Sequence, residues 1–280
     1  MPDVIMKAVM ENLEFESIQN VRKVCHKFRN FIDSKKIDFK LLGITVNYYP
    51  SKIKLMLRSD RRYHEFFYHK KDDGCLVVKE KRLDPPDKTR FEKDKDFKLY
   101  MLIISQEEVL QILPLLDSDF LTRIDLNHAL EWPKKVLNIV KLVHLSQWRN
   151  AWELGIWRCM VSEPIESFAH FSKVDFVMKE CSFDMQFLKE TLLQSDYFDQ
   201  WKIYFRSFQD EEKIVKIFGR PHLDKDKNKF PRKRCFLKIP DSDQCLVVTI
   251  SDRRSYGDIR INRLPLVFVP KKVFRKSLLY

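Results

Sequence analysis

The sequence predicts a mixed fold, α+β / α/β, in three stretches. A helical N-terminal segment is followed by a short antiparallel β segment, and then by a leucine-rich-repeat-like strand–helix region that ends in antiparallel strands. Apolar residues recur every three or four positions over about the first 40 residues, as on one face of a helix. From about residue 44 to residue 104 they recur every second position, as in strands. Strand and helix patterns then alternate between residues 121 and 208.

The N-terminal segment has the pattern of two amphipathic helices. Pro2 and Asp3 suit a first helical turn, because proline fixes a helical φ there and an acidic group favours the helix N-terminus. The first helix carries its apolar residues at intervals of four, and the second carries them at intervals of 3, 4, 3 and 4: Ile5, Val9 and Leu13, then Ile18, Val21, Cys25, Phe28 and Ile32. A helical piece of this size buries little surface alone, so its apolar face predicts contact with the rest of the chain or with a partner.

Short strands are predicted next, at Ile53–Leu57, Tyr63–His69, Cys75–Val78 and Phe97–Ile104. Mixed charges between residues 79 and 98 indicate a solvated loop. Ser105 and Glu108 have the spacing of a capping box, in which each side chain bonds a free amide at a helix start. A helix is therefore predicted to begin after Ser105.

The region from residue 121 to residue 208 has four copies of an apolar-x-apolar pattern, spaced by 30, 22 and 27 residues. They begin at Ile124, Leu154, Phe176 and Ile203. Helix patterns separate the copies, at Pro133 to Leu145, Pro164 to Phe171 and Asp184 to Tyr197. The spacing approaches that of leucine-rich repeats, although it is irregular and the ladder asparagine is missing, so ordinary α/β alternation remains the alternative. Antiparallel strands are predicted last, at Cys235 to Ile239, Leu246 to Ile250 and Asp258 to Leu264.

Composition limits the chemistry of the chain. It has 280 residues, a net charge of +12, 44% hydrophobic residues and only five glycines. The glycines are never closer than 31 residues, so neither a dinucleotide-binding nor a P-loop glycine motif is present. A catalytic serine in a G-x-S-x-G turn is excluded for the same reason. No cofactor is predicted, and a hydrolase assembled from distant residues is a remote alternative.

Cysteine and histidine spacing does not indicate a metal site. The six cysteines contain no C-x-x-C pair, and His64 and His69 are five residues apart, where a zinc-protease helix needs four. No secretory signal pattern and no apolar run of membrane-spanning length is visible. We therefore expect reduced thiols and an intracellular protein, in the cytoplasm or the nucleus.

Two basic tracts support an alternative function. Residues 225–234 hold six basic side chains and residues 271–276 hold four, and such tracts can bind phosphates. A basic nucleic-acid-associated regulatory protein is therefore the alternative, although no reading motif accompanies the tracts. Phosphate binding would weaken steeply with salt, whereas docking through apolar helices would not.

The N-terminal spacing resembles an F-box. Pro2, Val9, Leu13, Ile18, Val24-Cys25, Phe28 and Arg29 stand at its anchor positions, with Met1, Val4 and Phe28 in place of the usual leucine, acidic residue and tryptophan. The run from Asn20 to Asp33 looks more narrowly like the large nematode family of F-box proteins whose C-terminal half is a FOG-homology (FTH) domain. Segments 147–154 and 165–171 resemble parts of that domain.

The resemblance implies a non-catalytic substrate receptor of a Skp-cullin-F-box ubiquitin ligase. It implies an F-box at residues 1–42, a β-rich connecting segment at 43–104 and an FTH-like target-binding domain at 105–280. The expected partners are a Skp-family adaptor, through it a cullin, and an unidentified target protein. The expected adaptor-binding residues are Pro2, Ile5, Val9, Leu13, Ile18, Val21, Val24, Cys25 and Phe28.

Target binding is expected on the outward side of the parallel strands. Alternation along each strand places on that side Arg123, Asp125, Asn127, Glu153, Trp157, Asp175, Lys179, Lys202, Tyr204 and Arg206. Trp157 and Tyr204 are of the residue types that dominate interface energies.

Overall fold

The computed structural model describes residues 3–11, 13, 15–34, 41–49, 51–59, 63–71, 74–82, 97–103, 105–128, 136–178, 184–205, 216–219, 221–224, 232–253 and 256–269. The chain divides into two compact units, Met1–Leu102 and Ile103–Tyr280. Each unit contains both helices and strands, and the order of these elements along the chain agrees in part with the predicted order. None of the helices in the described ranges is long and apolar enough to cross a bilayer.

Three helices open the N-terminal unit: α1 (Asp3–Glu11), α2 (Phe15–Val24) and α3 (His26–Ser34). The prediction of one continuous second helix is wrong, because the chain leaves the helical conformation at Cys25. The Cys25 carbonyl nevertheless accepts a hydrogen bond from the Arg29 amide at 3.1 Å. A one-residue break therefore leaves the spacing of apolar residues almost unchanged and is invisible in the sequence pattern.

A five-stranded sheet completes the N-terminal unit, with β1 (Leu41–Tyr49), β2 (Lys52–Ser59), β3 (Tyr63–Lys71), β4 (Gly74–Arg82) and β5 (Phe97–Ile103). Its order is β5-β1-β2-β3-β4. The four predicted strands are confirmed, and β1 is an additional one. The pairings are antiparallel except that of β1 with β5, which is parallel, so the segment is not purely antiparallel as predicted.

Four parallel strands form the centre of the C-terminal unit: β6 (Leu121–His128), β8 (Glu153–Val161), β9 (Lys173–Met178) and β10 (Gln200–Phe205). A short strand, β7 (Val136–Leu137), pairs with the far end of β8. The first two copies of the repeat are in register, since Ile124 pairs with Leu154. The third is not, because Leu154 pairs with Val174 and Ile156 pairs with Phe176, a shift of two residues from the predicted alignment.

The connections between these strands differ from one another. Helix α4 (Gln106–Ile112) follows Ser105, whose amide donates to the Glu108 carboxylate at 3.5 Å, as the capping box predicts. Helix α6 (Met185–Gln194) lies within the predicted range of Asp184 to Tyr197, and the Asp184 side chain caps its start. The helix predicted for Pro133 to Leu145 is wrong over its described part, where β7 and a 3₁₀ turn occur instead, and α5 (Ser146–Asn150) begins only after that range. The helix pattern predicted for Pro164 to Phe171 forms only a 3₁₀ turn, at Ile165–Phe168. The leucine-rich-repeat-like description therefore stays a prediction.

The sheet of the C-terminal unit continues through antiparallel strands, as predicted. They are β11 (His222–Asp224), β12 (Arg232–Lys238), β13 (Gln244–Arg253) and β14 (Tyr256–Pro265). The order is β11-β12-β13-β14-β10-β9-β8-β6, and β14 pairs antiparallel with β10. This pairing joins the antiparallel strands to the parallel ones in one mixed sheet.

Aromatic side chains fill much of the core on one side of that sheet. Trp148 is fully buried, and its ring centroid lies 5.3 Å from that of Phe171 in an edge-on contact. Its indole N–H donates to the Ser167 carbonyl at 3.4 Å, and the indole N–H of Trp201 donates to the Phe171 carbonyl at 3.1 Å. Buried indoles thus keep hydrogen-bond partners, so this core is apolar without leaving those donors unpaired.

Candidate functional site

The N-terminal helices have an apolar core of their own. Met6 and Met10 of α1 pack with Ile18 of α2 and with Phe31 and Ile32 of α3, and all five are almost fully buried. The half-buried residues packed against this core are Leu13, Val21 and Phe28. An exposed ion pair between Arg22 and Asp33, at 2.8 Å, also joins α2 to α3, although exposed pairs of this kind contribute little to stability.

Several apolar side chains of these helices face solvent instead. The exposed fractions are 79% for Val4, 50% for Ile5, 44% for Val9 and 71% for Val24, and Cys25 is exposed too. Ile5 and Val9 are one helical turn apart, so they lie on the same side of α1. Clustered exposed apolar residues are typical of docking surfaces.

The predicted adaptor-binding residues therefore separate into three groups. Ile5, Val9, Val24 and Cys25 are exposed, and Leu13, Val21 and Phe28 are half-buried. Ile18 is fully buried in the core, so its side chain offers no surface to a partner in this structure. Pro2 lies outside the described residues. Val4 is the most exposed apolar residue of α1, and the predicted set omits it because it stands where an F-box usually has an acidic residue.

A second candidate surface lies on the polar face of the sheet in the C-terminal unit. Arg123 Nη1 donates to Glu153 at 2.8 Å, and its Nε donates to Asp125 at 2.6 Å. Lys173 Nζ lies 3.1 Å from Glu153 and 3.3 Å from Asp199. Side chains on four successive chain segments are thus joined by ion pairs, which hold them in defined positions.

The outward residues of the predicted target-binding set are brought onto this one face. Strand register aligns Arg123 with Glu153. In the next row it aligns Asp125, Gly155, Asp175 and Lys202 across four neighbouring strands. Asn127 is aligned with Trp157, and Tyr204 shares the face of Lys202 by alternation. The residues that alternate with them inside the strands are buried on the opposite face, such as Ile124, Leu154, Phe176 and Ile203. Lys179 and Arg206 lie outside the described residues.

Glycine at position 155 is required by the close packing of this face. A Cβ atom there would collide with Asp125 Oδ1 and with Trp157 Nε1. The backbone of β8 also changes register with β9 after Ile156, and Arg158 has a φ of 60°. This irregularity, a β-bulge, ends the regular alternation of β8 at Trp157.

Two polar residues of β14 belong to the same face and were missed from the sequence. Asp258 is fully buried, and Arg260 Nε donates to it at 2.7 Å. Arg260 is directly opposite Lys202. The alternation Asp258, Arg260, Asn262 along β14 is the signal that could have indicated them, but the prediction considered only parallel strands.

Burial and neighbouring charges shift the pKa values of Arg123 and Asp175 on this face. Burial by itself lowers the pKa of Arg123, but hydrogen bonds and attraction from Asp125 and Glu153 outweigh it, so the pKa is raised. Burial raises the pKa of Asp175 to about 6, against the lowering influence of Lys202, Arg123 and Arg260. Three acceptor atoms of the face are buried and have no hydrogen bond within the described residues: Asn127 Oδ1, Asp175 Oδ1 and Asp258 Oδ1.

The raised pKa of Asp175 predicts how the stability of the folded chain depends on pH. The folded chain holds the Asp175 proton up to about pH 6, whereas the unfolded chain releases it near 3.8. Between these values the folded state binds more protons, so its stability falls as the pH rises. We expect the free energy of unfolding of the wild type to fall by about 1–3 kcal/mol relative to D175N over this window. Denaturant titrations at several pH values measure it, with D119N on an exposed turn as the control. Parallel pH profiles for wild type and D175N would contradict the expectation.

The two histidines of the zinc-protease-like pattern and the basic tracts are the remaining motifs of the sequence. His64 and Glu65 are buried, and Glu65 pairs with Lys54 at 3.0 Å. No group of three metal-ligating side chains occurs within the described ranges. The basic tracts at 225–230 and 271–276 lie outside these ranges, and Arg232, Lys233 and Arg234 are part of strand β12.

Comparison with known proteins bears on both surfaces. A family model of the F-box domain matches residues 1–40, and a family model of the FTH domain matches residues 95–222. The chain therefore contains an F-box domain and an FTH domain, as the sequence predicted. No curated protein and no solved structure matches it.

Each family match covers one of the two candidate surfaces. The F-box match covers α1, α2 and α3 with their exposed apolar residues. The FTH match covers the parallel strands β6, β8, β9 and β10, and it ends before β12, β13 and β14. F-box proteins in general are non-catalytic and recognise substrates for SCF ubiquitin ligases, where they bind a Skp adaptor and a cullin.

Proposed function

We propose that this chain is the substrate-recognition subunit of a Skp-cullin-F-box ubiquitin ligase. Its N-terminal helices dock on a Skp adaptor, and its C-terminal unit holds a target protein. The observation that carries the proposal is that the F-box helices fill their own core with Met6, Met10, Ile18, Phe31 and Ile32. The exposed apolar residues of α1 and α2 are therefore not needed for folding, and they remain available to a partner.

Adaptor docking would use those exposed residues. We assign the contact to Ile5, Val9, Val24 and Cys25, with Leu13, Val21 and Phe28 contributing the edges of their side chains. Pro2, which lies outside the described residues, is retained from the sequence prediction. Ile18 would act from inside the core by holding α2 in place. An apolar helix surface entering a complementary groove is a common mode of recognition.

The C-terminal unit would hold the target on the polar face of its sheet. The ion pairs among Arg123, Asp125, Glu153 and Lys173 fix side chains before binding, which lowers the entropy lost on association. Trp157 and Tyr204, which are half-buried on this face, add aromatic surface of the types that dominate interface energies.

The mechanism needs no catalytic residue in this chain. A ligase of this type acts inside the cell by keeping a target near a conjugating enzyme held by other subunits, which raises the effective concentration of the target lysines. The residues of the receptor then determine which protein is modified, whereas the chemistry belongs to other subunits.

Binding to a purified Skp adaptor tests the proposal. The full chain should retain the adaptor on a column with little change between about 50 and 200 mM salt, because the contact is apolar, and should not retain it after residues 1–40 are removed. A basic nucleic-acid-associated protein would instead bind RNA, lose it steeply over that range, and ignore the adaptor. Failure of the full chain to retain the adaptor would contradict the proposal.

A further inference from the structure

The parallel strands of the C-terminal unit begin side by side along one edge of the sheet. The Trp152 amide donates to the Thr122 carbonyl at 2.8 Å, and the Ser172 amide donates to the Trp152 carbonyl at 2.8 Å. The Asp199 amide donates to the Ser172 carbonyl at 3.1 Å. These hydrogen bonds join the starts of β6, β8, β9 and β10 in one row, which we call the strand-entry edge.

Exposed aromatic side chains stand at this edge. The exposed fractions are 66% for Phe120, 63% for Trp152 and 55% for Tyr197. Phe120 precedes β6, Trp152 precedes β8 and Tyr197 lies just before β10. Neighbouring strands are about 4.8 Å apart, so the three residues span roughly 15 Å. Aromatic residues of these types dominate binding energies when a partner buries them. Exposed at this edge, they lower the solubility of the chain and do not contribute to its core.

Acidic side chains lie among these aromatic residues. Asp119 is adjacent to Phe120, Asp196 is adjacent to Tyr197, and all three aspartates Asp119, Asp196 and Asp199 are exposed. Two basic residues also lie at this edge. Lys173 is paired with Glu153 and Asp199, and Arg263, whose amide donates to the Asp199 carbonyl, donates its Nη1 to the Ser195 carbonyl. The edge is therefore acidic and aromatic in a chain whose net charge is +12.

We propose that the strand-entry edge docks a segment of the target protein that carries both aliphatic and basic side chains. The inference rests on the proposed function, because it adds to the polar face a second contact for the same target and names the chemistry of that contact. Aliphatic groups would pack on Phe120, Trp152 and Tyr197, and cations would lie on the ring faces and beside the aspartates. Charge complementarity selects this occupant over an acidic segment.

A labelled peptide tests the assignment on the full chain. The probe is a short fluorescent peptide of alternating leucine and arginine, and its counterpart alternates leucine and glutamate. The overall charge of +12 favours the acidic peptide, so a preference for the basic one must arise locally. We expect the basic peptide to bind at least about tenfold more tightly than the acidic one, and F120A/W152A to lose about tenfold in affinity for it. Equal affinities of the two peptides, or unchanged binding by F120A/W152A, would overturn the proposal.

A matched control separates this edge from apolar surface elsewhere. Val136 and Val140 are 41% and 52% exposed, and Val136 pairs with Met160 at the far end of β8. V136A/V140A should bind the basic peptide as the wild type does, and an equal loss there would overturn the assignment. Light scattering tests whether a second copy of the chain occupies the edge. A dimer that F120A/W152A abolishes would overturn the assignment to a target segment.

Adaptor capture by F120A/W152A tests the proposed function separately, because this variant leaves the F-box helices unchanged.

Discussion

Replacing Ile5 and Val9 by glutamate should weaken binding of the full chain to a Skp adaptor at least about a hundredfold. Both side chains are exposed, at 50% and 44%, so the substitutions should leave the helices folded. In the complex each glutamate would replace an apolar contact by a charge without a partner. Losing one buried aliphatic contact costs about 2–5 kcal/mol, and burying an unpaired charge costs more. Roughly 2.7 kcal/mol corresponds to a hundredfold change in affinity. A hundredfold loss is therefore a lower estimate for the two substitutions together.

Calorimetric titration of purified adaptor into the I5E/V9E chain measures this effect. N20E/N30E is the matched control, because it adds the same two charges at exposed polar positions of α2 and α3, and it should bind within about twofold of the wild type. Adaptor affinity of I5E/V9E equal to that of the wild type would exclude these residues from the contact. Leu13, which follows the end of α1, is less suitable because it packs against the core of the helices, and a charge there would unfold them.

Truncating Trp148 to alanine should lower the free energy of unfolding of the C-terminal unit by about 3–5 kcal/mol. The side chain is fully buried between Phe168 and Phe171, with ring centroids 6.2 Å and 5.3 Å away. Its removal leaves a cavity that rigid neighbours fill poorly, and it removes the hydrogen bond to the Ser167 carbonyl.

Trp152 provides a matched control for this experiment, since it is the same residue type four positions later and is 63% exposed. W152A should change stability by no more than about 0.5 kcal/mol. All five tryptophans lie beyond residue 102, so denaturant unfolding followed by tryptophan fluorescence reports on the C-terminal unit alone. Similar losses in W148A and W152A would contradict the account of the core.

The sequence by itself determined much of the local structure. Period-two alternation located β2, β3, β4 and β5, and the capping pattern at Ser105 located the start of α4. Alternation also gave the outward side of the parallel strands, because successive side chains of a strand point to opposite faces. The spacing of its anchors indicated the F-box, which the family match confirms. Each of these properties depends on residues close together in the chain.

The packed face of α1 was decided only by tertiary structure. Val4, Ile5, Met6, Val9 and Met10 are all apolar, so the sequence offers two overlapping apolar faces on one short helix. The structure buries Met6 and Met10 against α2 and α3 and leaves the other three exposed. Helical periodicity cannot choose between such faces, because the choice depends on which surface complements the neighbouring helices.

Strand register in the C-terminal unit was also decided by tertiary structure. An alternating pattern matches itself after a shift of two residues, so the sequence could not tell whether Leu154 pairs with Val174 or with Phe176. The structure pairs it with Val174. The same holds for Asp258 and Arg260, which reach the polar face from a strand distant in sequence. Contacts between distant segments depend on how complete surfaces pack, and that information is not contained in any local pattern.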